Sequence, residues 1–352
     1  MSRPGGLAAL LLGLLLADAA RAGAPEQRVL STIAFGSCAH QSRTQAFWTP
    51  LLASRPDLFV FAGDNIYADT YDRALKQKKY QQLAAHPGYQ ELLRTCPVLA
   101  TWDDHDYGLN DSGGEFRKKE ESQELFLDFF GEPADSPRRR QPGVYDAHIF
   151  GPPGRRVQVI LLDTRYFRSP LKMLAHRVPG GGRYRANRDR SATLLGTNQW
   201  AWLEEQLRKP ADLRLLVSSI QVVAQDHDWE HWMNFPNERG RLFNLIKSTG
   251  AQGVVVLSGD RHHAELSRHP SAIGYPLYDL TASGFNMARG GRVEEPNRYR
   301  VGTLYPQNHF GLVRVDWAAK DPLVTLEIRD LKGKPVIQEQ FPLSLLRAPA
   351  AP

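Results

Sequence analysis

Short apolar runs rich in β-branched residues punctuate this chain, and each breaks off into a polar segment rather than into further apolar sequence. Val29 to Phe35, Leu58 to Ala62, Val98 to Trp102, Val157 to Asp163, Leu213 to Ile220 and Val254 to Ser258 have the length and continuity of buried strands. Helical patterns lie between them: Ala46 to Ser54, Tyr89 to Thr95, Glu120 to Phe130, Asn198 to Lys209 and Glu238 to Thr249. Gly131 suits a left-handed C-cap, Thr197 an N-cap, and Pro210 stops the fourth helix. Strand–helix alternation of this kind predicts an α/β core whose sheets are hidden from water. The last forty residues change character. His309 to Asp316, Leu323 to Arg329 and Pro335 to Phe341 alternate as half-buried strands do, with Lys332-Gly333 as a hairpin turn, and predict an antiparallel edge on the same domain. Pro133 to Gly143 and Arg177 to Thr197 read as irregular, the second either a binding loop or disorder.

The chain starts with a different kind of segment. Arg3, the apolar run Leu7 to Leu16 and the small residues of Ala20-Arg21-Ala22 together predict a cleaved signal peptide over residues 1–22, followed by one domain over 27–345. The run is too short to cross a bilayer comfortably. Export leaves open a periplasm, an endomembrane lumen or the medium. With two cysteines, Cys38 and Cys96, the chain is not a disulfide-stapled scaffold and must rely on a core. A formal charge of +6 favours anionic substrates, but no basic helix, zinc-finger spacing or aromatic platform marks a nucleic-acid binder.

Ligands of open α/β sheets gather at the carboxyl ends of strands, so the residues directly after each strand matter most. Gly36-Ser37-Cys38 follows the first, Gly63-Asp64-Asn65-Ile66-Tyr67 the second, Asp103-Asp104-His105-Asp106 the third, and Gly259-Asp260-Arg261-His262-His263 a later one. Taken singly, Asp64 is a turn residue, Tyr67 a core-edge aromatic and Cys38 a small buried hydrophobe. Taken together they bring thiolate, carboxylate, phenolate and imidazole donors to one sheet edge, a mixture suited to first-row divalent or ferric ions.

In this order, GSC, GDNIY, WDDHD and GDRHH resemble the alkaline phosphatase D (PhoD-like) branch of the calcineurin-like metallophosphoesterases. NQWAWLEEQL, LLVSSIQ and NHFGLVRVD extend the resemblance over about residues 30 to 330. It implies two packed mixed β-sheets flanked by helices, a four-layer α/β/β/α sandwich around a multi-metal centre. On that resemblance the metal ligands are Cys38, Asp64, Tyr67, Asp104, Asp260 and His262, with Asp64 bridging two ions and Tyr67 on ferric iron. Phenolate and thiolate favour Fe3+. Ca2+ suits the oxygen-rich remainder, with Zn2+ or Mn2+ as alternatives at the second position. A ligating Cys38 is a thiolate outside any disulfide, which leaves Cys96 as a buried structural thiol.

The chemistry expected is hydrolysis of a phosphate ester, in which adjacent cations generate hydroxide near neutral pH and hold the phosphoryl oxygens in line. His105 is the expected acid for the leaving alkoxide, and Arg165, in Asp163-Thr164-Arg165 after a strand, the expected clamp on a phosphate oxygen. Asn65, Asn110 and His309 are further candidates to reach metal or substrate. Asn110 also starts a glycosylation sequon, expected unmodified beside such a site. Mono- and diesters, a nuclease or phospholipid-directed activity, and a metal-binding homologue without catalysis all remain open. No obligate protein partner and no membrane span beyond the leader are expected.

Overall fold

The structure, a computed structural model, describes residues 27–176, 181–291 and 294–348; the expected leader lies outside them. The first strands are β1 (Thr32–Gly36), β2 (Leu58–Ala62), β3 (Val98–Thr101), β4 (Asp146–Phe150), β5 (Val157–Leu161), β6 (Lys172–Met173), β7 (Tyr184–Arg185) and β8 (Leu213–Ser218). They are followed by β9 (Val254–Ser258), β10 (Ala264–His269), β11 (Leu277–Ala282), β12 (Arg300–Tyr305), β13 (His309–Asp316), β14 (Leu323–Asp330) and β15 (Pro335–Pro342). One sheet has the order β15-β14-β13-β1-β2-β3 and the other β12-β10-β11-β9-β8-β5-β4, both mixed; β6 and β7 form a separate ribbon. Within them β1, β2 and β3 run parallel, as do β5, β8, β9 and β11.

Alternate residues of a strand face opposite sides of its sheet. In β2, Leu58, Val60 and Ala62 pack into a core shared with the second sheet, while Phe59 and Phe61 pack outward. The outward pair meets α1 (Trp48–Ala53), α2 (Arg73–Ala84), α3 (Pro87–Thr95) and, beyond the short α4 (Asp104–Tyr107), α5 (Lys119–Phe129) through Trp48, Leu83, Leu92 and Phe126. On the second sheet, α6 (Gly196–Arg208) and α7 (Pro236–Ser248) bury Trp200, Leu203, Leu242 and Ile246. Burial on both faces is why these strands read as continuous apolar runs. The result is the expected four-layer sandwich, helices outside two packed sheets.

The carboxyl ends of the parallel strands of both sheets meet. Ser37 N, after β1, donates to Ala282 O of β11 at 2.9 Å, and Thr101 Oγ1 of β3 to Leu162 O, after β5, at 2.7 Å. This closeness needs glycine: a Cβ on Gly259 would lie 2.5 Å from Ser37 Oγ, and one on Gly63, at φ +101°, would lie 2.6 Å from Asp103 Cβ.

The antiparallel edge is present as β13, β14 and β15, attached to β1 through β13, with Gly333 at φ +76° in the last hairpin. Gly131 is left-handed after α5 as expected. Thr197 is not the N-cap of α6, which begins at Gly196; Thr193 Oγ1 accepts from the Gly196 amide instead. α2 and the strands β4, β10, β11 and β12 are additions to the sequence reading. Pro133 to Gly143 contains a 3₁₀ turn at Pro137–Arg140, where Arg138 is tied to Glu132 and to the carbonyls of Val144 and Ala100. That arginine run is structural, and Arg139 is likewise held by Asp128. Both Cys38 and Cys96 are free and buried. No helix among the described residues is long and apolar enough to cross a membrane.

Candidate metal centre

The loops after β1, β2, β3 and β9 are turned sharply enough to aim their side chains at one point. Cys38, Asp64, Asp260 and His262 all have positive φ, of 61°, 51°, 68° and 57°. A left-handed backbone at a residue other than glycine costs on the order of 1–3 kcal/mol, and four such residues around one point mark a functional constraint. Their side chains meet. Cys38 Sγ is 3.3 Å from Asp64 Oδ2 and 3.2 Å from Ser283 Oγ, and Tyr67 Oη lies 3.3 Å from Asp64 Oδ2 and 3.0 Å from His262 Nε2. Ser283 in turn accepts from the His262 amide at 2.7 Å, fixing the loop that carries the imidazole. Three groups of donor atoms, each within 4.8 Å of one another, therefore sit side by side: Cys38 with Asp64 and His262, Asp64 with Asp104 and His105, and Asp103 with Asp104 and Asp260.

These donors are buried and incompletely satisfied. Asp64 Oδ1, Asp103 Oδ2, Asp104 Oδ1 and Asp260 Oδ2 have no hydrogen-bond partner. A buried carboxylate oxygen without a partner is costly unless a cation answers it. The electrostatics say the same. Burial pushes Cys38 up to about 11, and Asp64, Tyr67 and Asp260 well above their ordinary ranges, each worsened by anionic neighbours. Burial lowers His262 to about 3, leaving its imidazole neutral with a lone pair to donate. A set of acids kept protonated by crowding and desolvation, beside a neutral imidazole, becomes a ligand set once positive charge enters. The residues present fit metal cations.

His105 differs from its neighbours. Burial works against its charge, yet Asp104, Asp64 and the hydrogen bond to Asp69 raise it to about 11. Nδ1 is 2.7 Å from Asp69 Oδ2, and its ring lies 4.2 Å from that of Tyr67. Asp104 shows the reciprocal effect: burial opposes ionisation, but His105 and Arg165 hold it at about 2.

Not every expected residue reaches the site. Arg165 is fully buried, bound to Asp103 at 2.5 Å and to Glu230 at 2.7 Å, so it cannot clamp a substrate; it supports Asp103 from behind. Asn65 is also fully buried, donating to Thr101 O at 2.9 Å and to Asp106 Oδ2 at 2.5 Å, which locks the second strand-end loop to the third. His309 is buried with Nδ1 on Gln307 O, outside the three donor groups and the cleft. Asn110 does line the cleft, with His105, Asp111, Arg183, Trp229, Glu230, Arg261 and Arg289, around a volume of about 100 Å³. Asp103 was legible in the WDDHD motif but had no assigned role, and Asp69 lies just beyond GDNIY, outside every motif read. Trp229, Glu230 and Arg289 follow no strand-end motif and gave no signal.

Comparison with known proteins agrees with this geometry. A profile described as PhoD-like phosphatase matches residues 33–283. Alkaline phosphatase D from Bacillus subtilis is 26% identical over 282 residues, covering 66% of this chain and 46% of that protein, so the chain spans about half the length of this curated relative. A solved structure of PhoD superposes with a TM-score of 0.71 at 16% identity, over 91% of this chain and 70% of its own. A dimetal phosphatase from Danio rerio (TM-score 0.54, 14% identity, 90% of this chain and 100% of that one) has a similar fold. So does GAP50, described as the anchor in the inner membrane complex of Plasmodium (0.57, 12%, 90% and 89%).

Proposed function

Because this chain belongs to the PhoD-like phosphatase family, we propose that it is a metal-dependent phosphoric ester hydrolase, exported by a cleaved leader. The observation that carries this reading is the convergence of buried carboxylate oxygens without a hydrogen bond on Asp64, Asp104 and Asp260 beside Cys38, Tyr67 and His262, the oxygens of Asp104 and Asp260 meeting only Arg165 and Arg261 at 3.8 and 3.6 Å. Cys38, Asp64, Tyr67 and His262 would hold Fe3+, which phenolate and thiolate donors favour. Asp103, Asp104 and Asp260, with Asp64 shared, would hold Ca2+, or Zn2+ or Mn2+ in its place. Bound there, the cations supply a nucleophilic oxygen near neutral pH and offset charge on the phosphoryl group. His105, oriented by Asp69, donates a proton from Nε2 to the leaving oxygen. Arg165 and Ser219 both donate to Asp103 Oδ1, at 2.5 and 2.6 Å, and leave Oδ2, which has no hydrogen bond, as the oxygen that would meet a cation.

Phosphomonoesters and phosphodiesters are both candidate substrates, lipid head groups and nucleic acids included. The fold shared with a protein described as an anchor raises a second reading, a metal-binding homologue without turnover. Against it, every ligand position here carries a competent donor. Elemental analysis combined with rates on p-nitrophenyl phosphate, bis(p-nitrophenyl) phosphate, DNA and a phospholipid tests both. Turnover of at least one ester by metal-loaded protein is expected; metal without turnover of any of them favours the anchor-like reading.

A further inference from the structure

With Arg165 sequestered, the cleft still has to recognise an anionic group. Most of its cations are already engaged. Arg261 binds Glu295 at 2.6 Å, Arg289 meets the same carboxylate at 3.4 Å, and His105 is held by Asp69. Arg183 is different. It lines the cleft, its Nε is buried without a hydrogen-bond partner, its guanidinium lies over the Tyr184 ring at 5.7 Å, and Asp111 Oδ2 stands 3.6 Å from Nη2.

We propose that Arg183 is the residue that binds the phosphoryl oxygens of the substrate, carried to the metal centre by the β6–β7 ribbon. This rests on the phosphoesterase reading above and names the recognition element of that same site.

The ribbon is built to hold Arg183 in place. Tyr184 N donates to Asp228 O at 2.8 Å, and Tyr184 Oη donates to Asp111 Oδ2 at 2.5 Å. Asp111, left-handed at φ +57°, gives its amide to Asp104 Oδ2 at 2.6 Å, so the ribbon's anchor also touches a proposed metal ligand. Gly182, directly before Arg183, lies flat on the 228–229 backbone. A Cβ there would be 2.0 Å from Asp228 C and 2.4 Å from Trp229 N, so no other residue lets the ribbon approach this closely. The next two residues, Trp229 and Glu230, line the same cleft. A forked guanidinium with spare donors is the group best matched to phosphate oxygens.

Binding of inorganic phosphate to the metal-loaded chain, measured by calorimetry, tests the assignment without requiring turnover. Arg183→Gln should weaken phosphate by about ten- to a hundredfold, the loss typical of one charged hydrogen-bonding partner, with metal content unchanged. Arg183→Lys should recover part of it. Gly182→Ala should mimic the loss by displacing the ribbon, and Arg94→Gln, an exposed charge paired with Glu91 on α3, should have no effect. If Arg183→Gln binds phosphate within twofold of the parent, the assignment is wrong. A chain that binds phosphate through Arg183 yet cleaves no ester would overturn the hydrolase reading while keeping Arg183 as the phosphate ligand.

Discussion

The rings of Tyr67 and His105 lie 4.2 Å apart, tilted by 31°, yet the proposed function gives the two residues opposite tasks. Tyr67 is buried against Asp64 and His262, where a phenolate would meet ferric iron; His105 is anchored by Asp69 and lines the cleft. Two expectations separate them. Purified protein should be coloured by tyrosinate-to-iron charge transfer, and Tyr67→Phe should lose that absorption, read in a visible spectrum; an unchanged band would remove the tyrosine from the ligand set. His105→Gln should lower turnover by about a hundred- to ten-thousandfold while elemental analysis stays as in the parent. Loss of metal in that variant would make His105 a ligand, as its place beside Asp64 and Asp104 permits. Residue by residue, the meeting of Cys38, Asp64, Tyr67, Asp104, Asp260 and His262 was readable in the sequence because each lies in the segment that follows a strand. Arg165 was misread for an instructive reason: following a strand puts a residue at the sheet edge but does not say whether it faces the cleft or the supporting layer behind it.

Among the elements, two of the strands the sequence missed, β10 and β11, share a cause. β10 and β11 carry Glu265, Ser267, Asp279 and Thr281 inside the protein, where they satisfy one another and their neighbours: Gln221 donates to Glu265 and to Thr281, and Ser258 to Asp279. Buried polar pairs erase the apolar signature that exposes a strand. α2 is polar for another reason, since Lys76 turns inward. Its Nζ donates to the carbonyls of Asp106 and Tyr107 and to Ser122 Oγ, gripping the C-terminal end of α4 behind the metal loop. Burial lowers Lys76 to about 8, below its unfolded value. At Lys76 the unfolded chain therefore binds more protons between pH 8 and about 10, so this residue's own contribution to stability rises with pH across that window, by at most about 1.4 kcal/mol for each pH unit crossed. The parent should gain relative to Lys76→Met from pH 8 to 10 in denaturant melts. Parallel profiles for the two would mean that the ammonium is not desolvated.

At the scale of the whole molecule, two sheets whose parallel strands end together make a rim that local sequence marked clearly, whereas the far wall of the cleft comes from Arg183, Trp229, Glu230 and Arg289, distant in the chain, of which only Arg183 fell in a stretch read as a candidate binding loop. The layered fold was legible because strands buried on both faces are apolar throughout. Most of the wall was not, since Trp229 and Glu230 follow no strand-end motif and are placed by packing such as that of Gly182 on Asp228. Because the metal positions gather loops from both sheets, chelation should lower the melting temperature, and added metal should restore it in a concentration-dependent way. A melting temperature indifferent to chelator would mean that the sheets hold the rim without ions. The most direct test of the account is elemental analysis of the purified chain beside Asp64→Asn. Asp64 stands in two of the three donor groups, so the account predicts more than one metal ion per parent chain and loss from both positions in the variant. A parent chain that carries no metal after loading, or a variant that retains the parent's full complement, would contradict it.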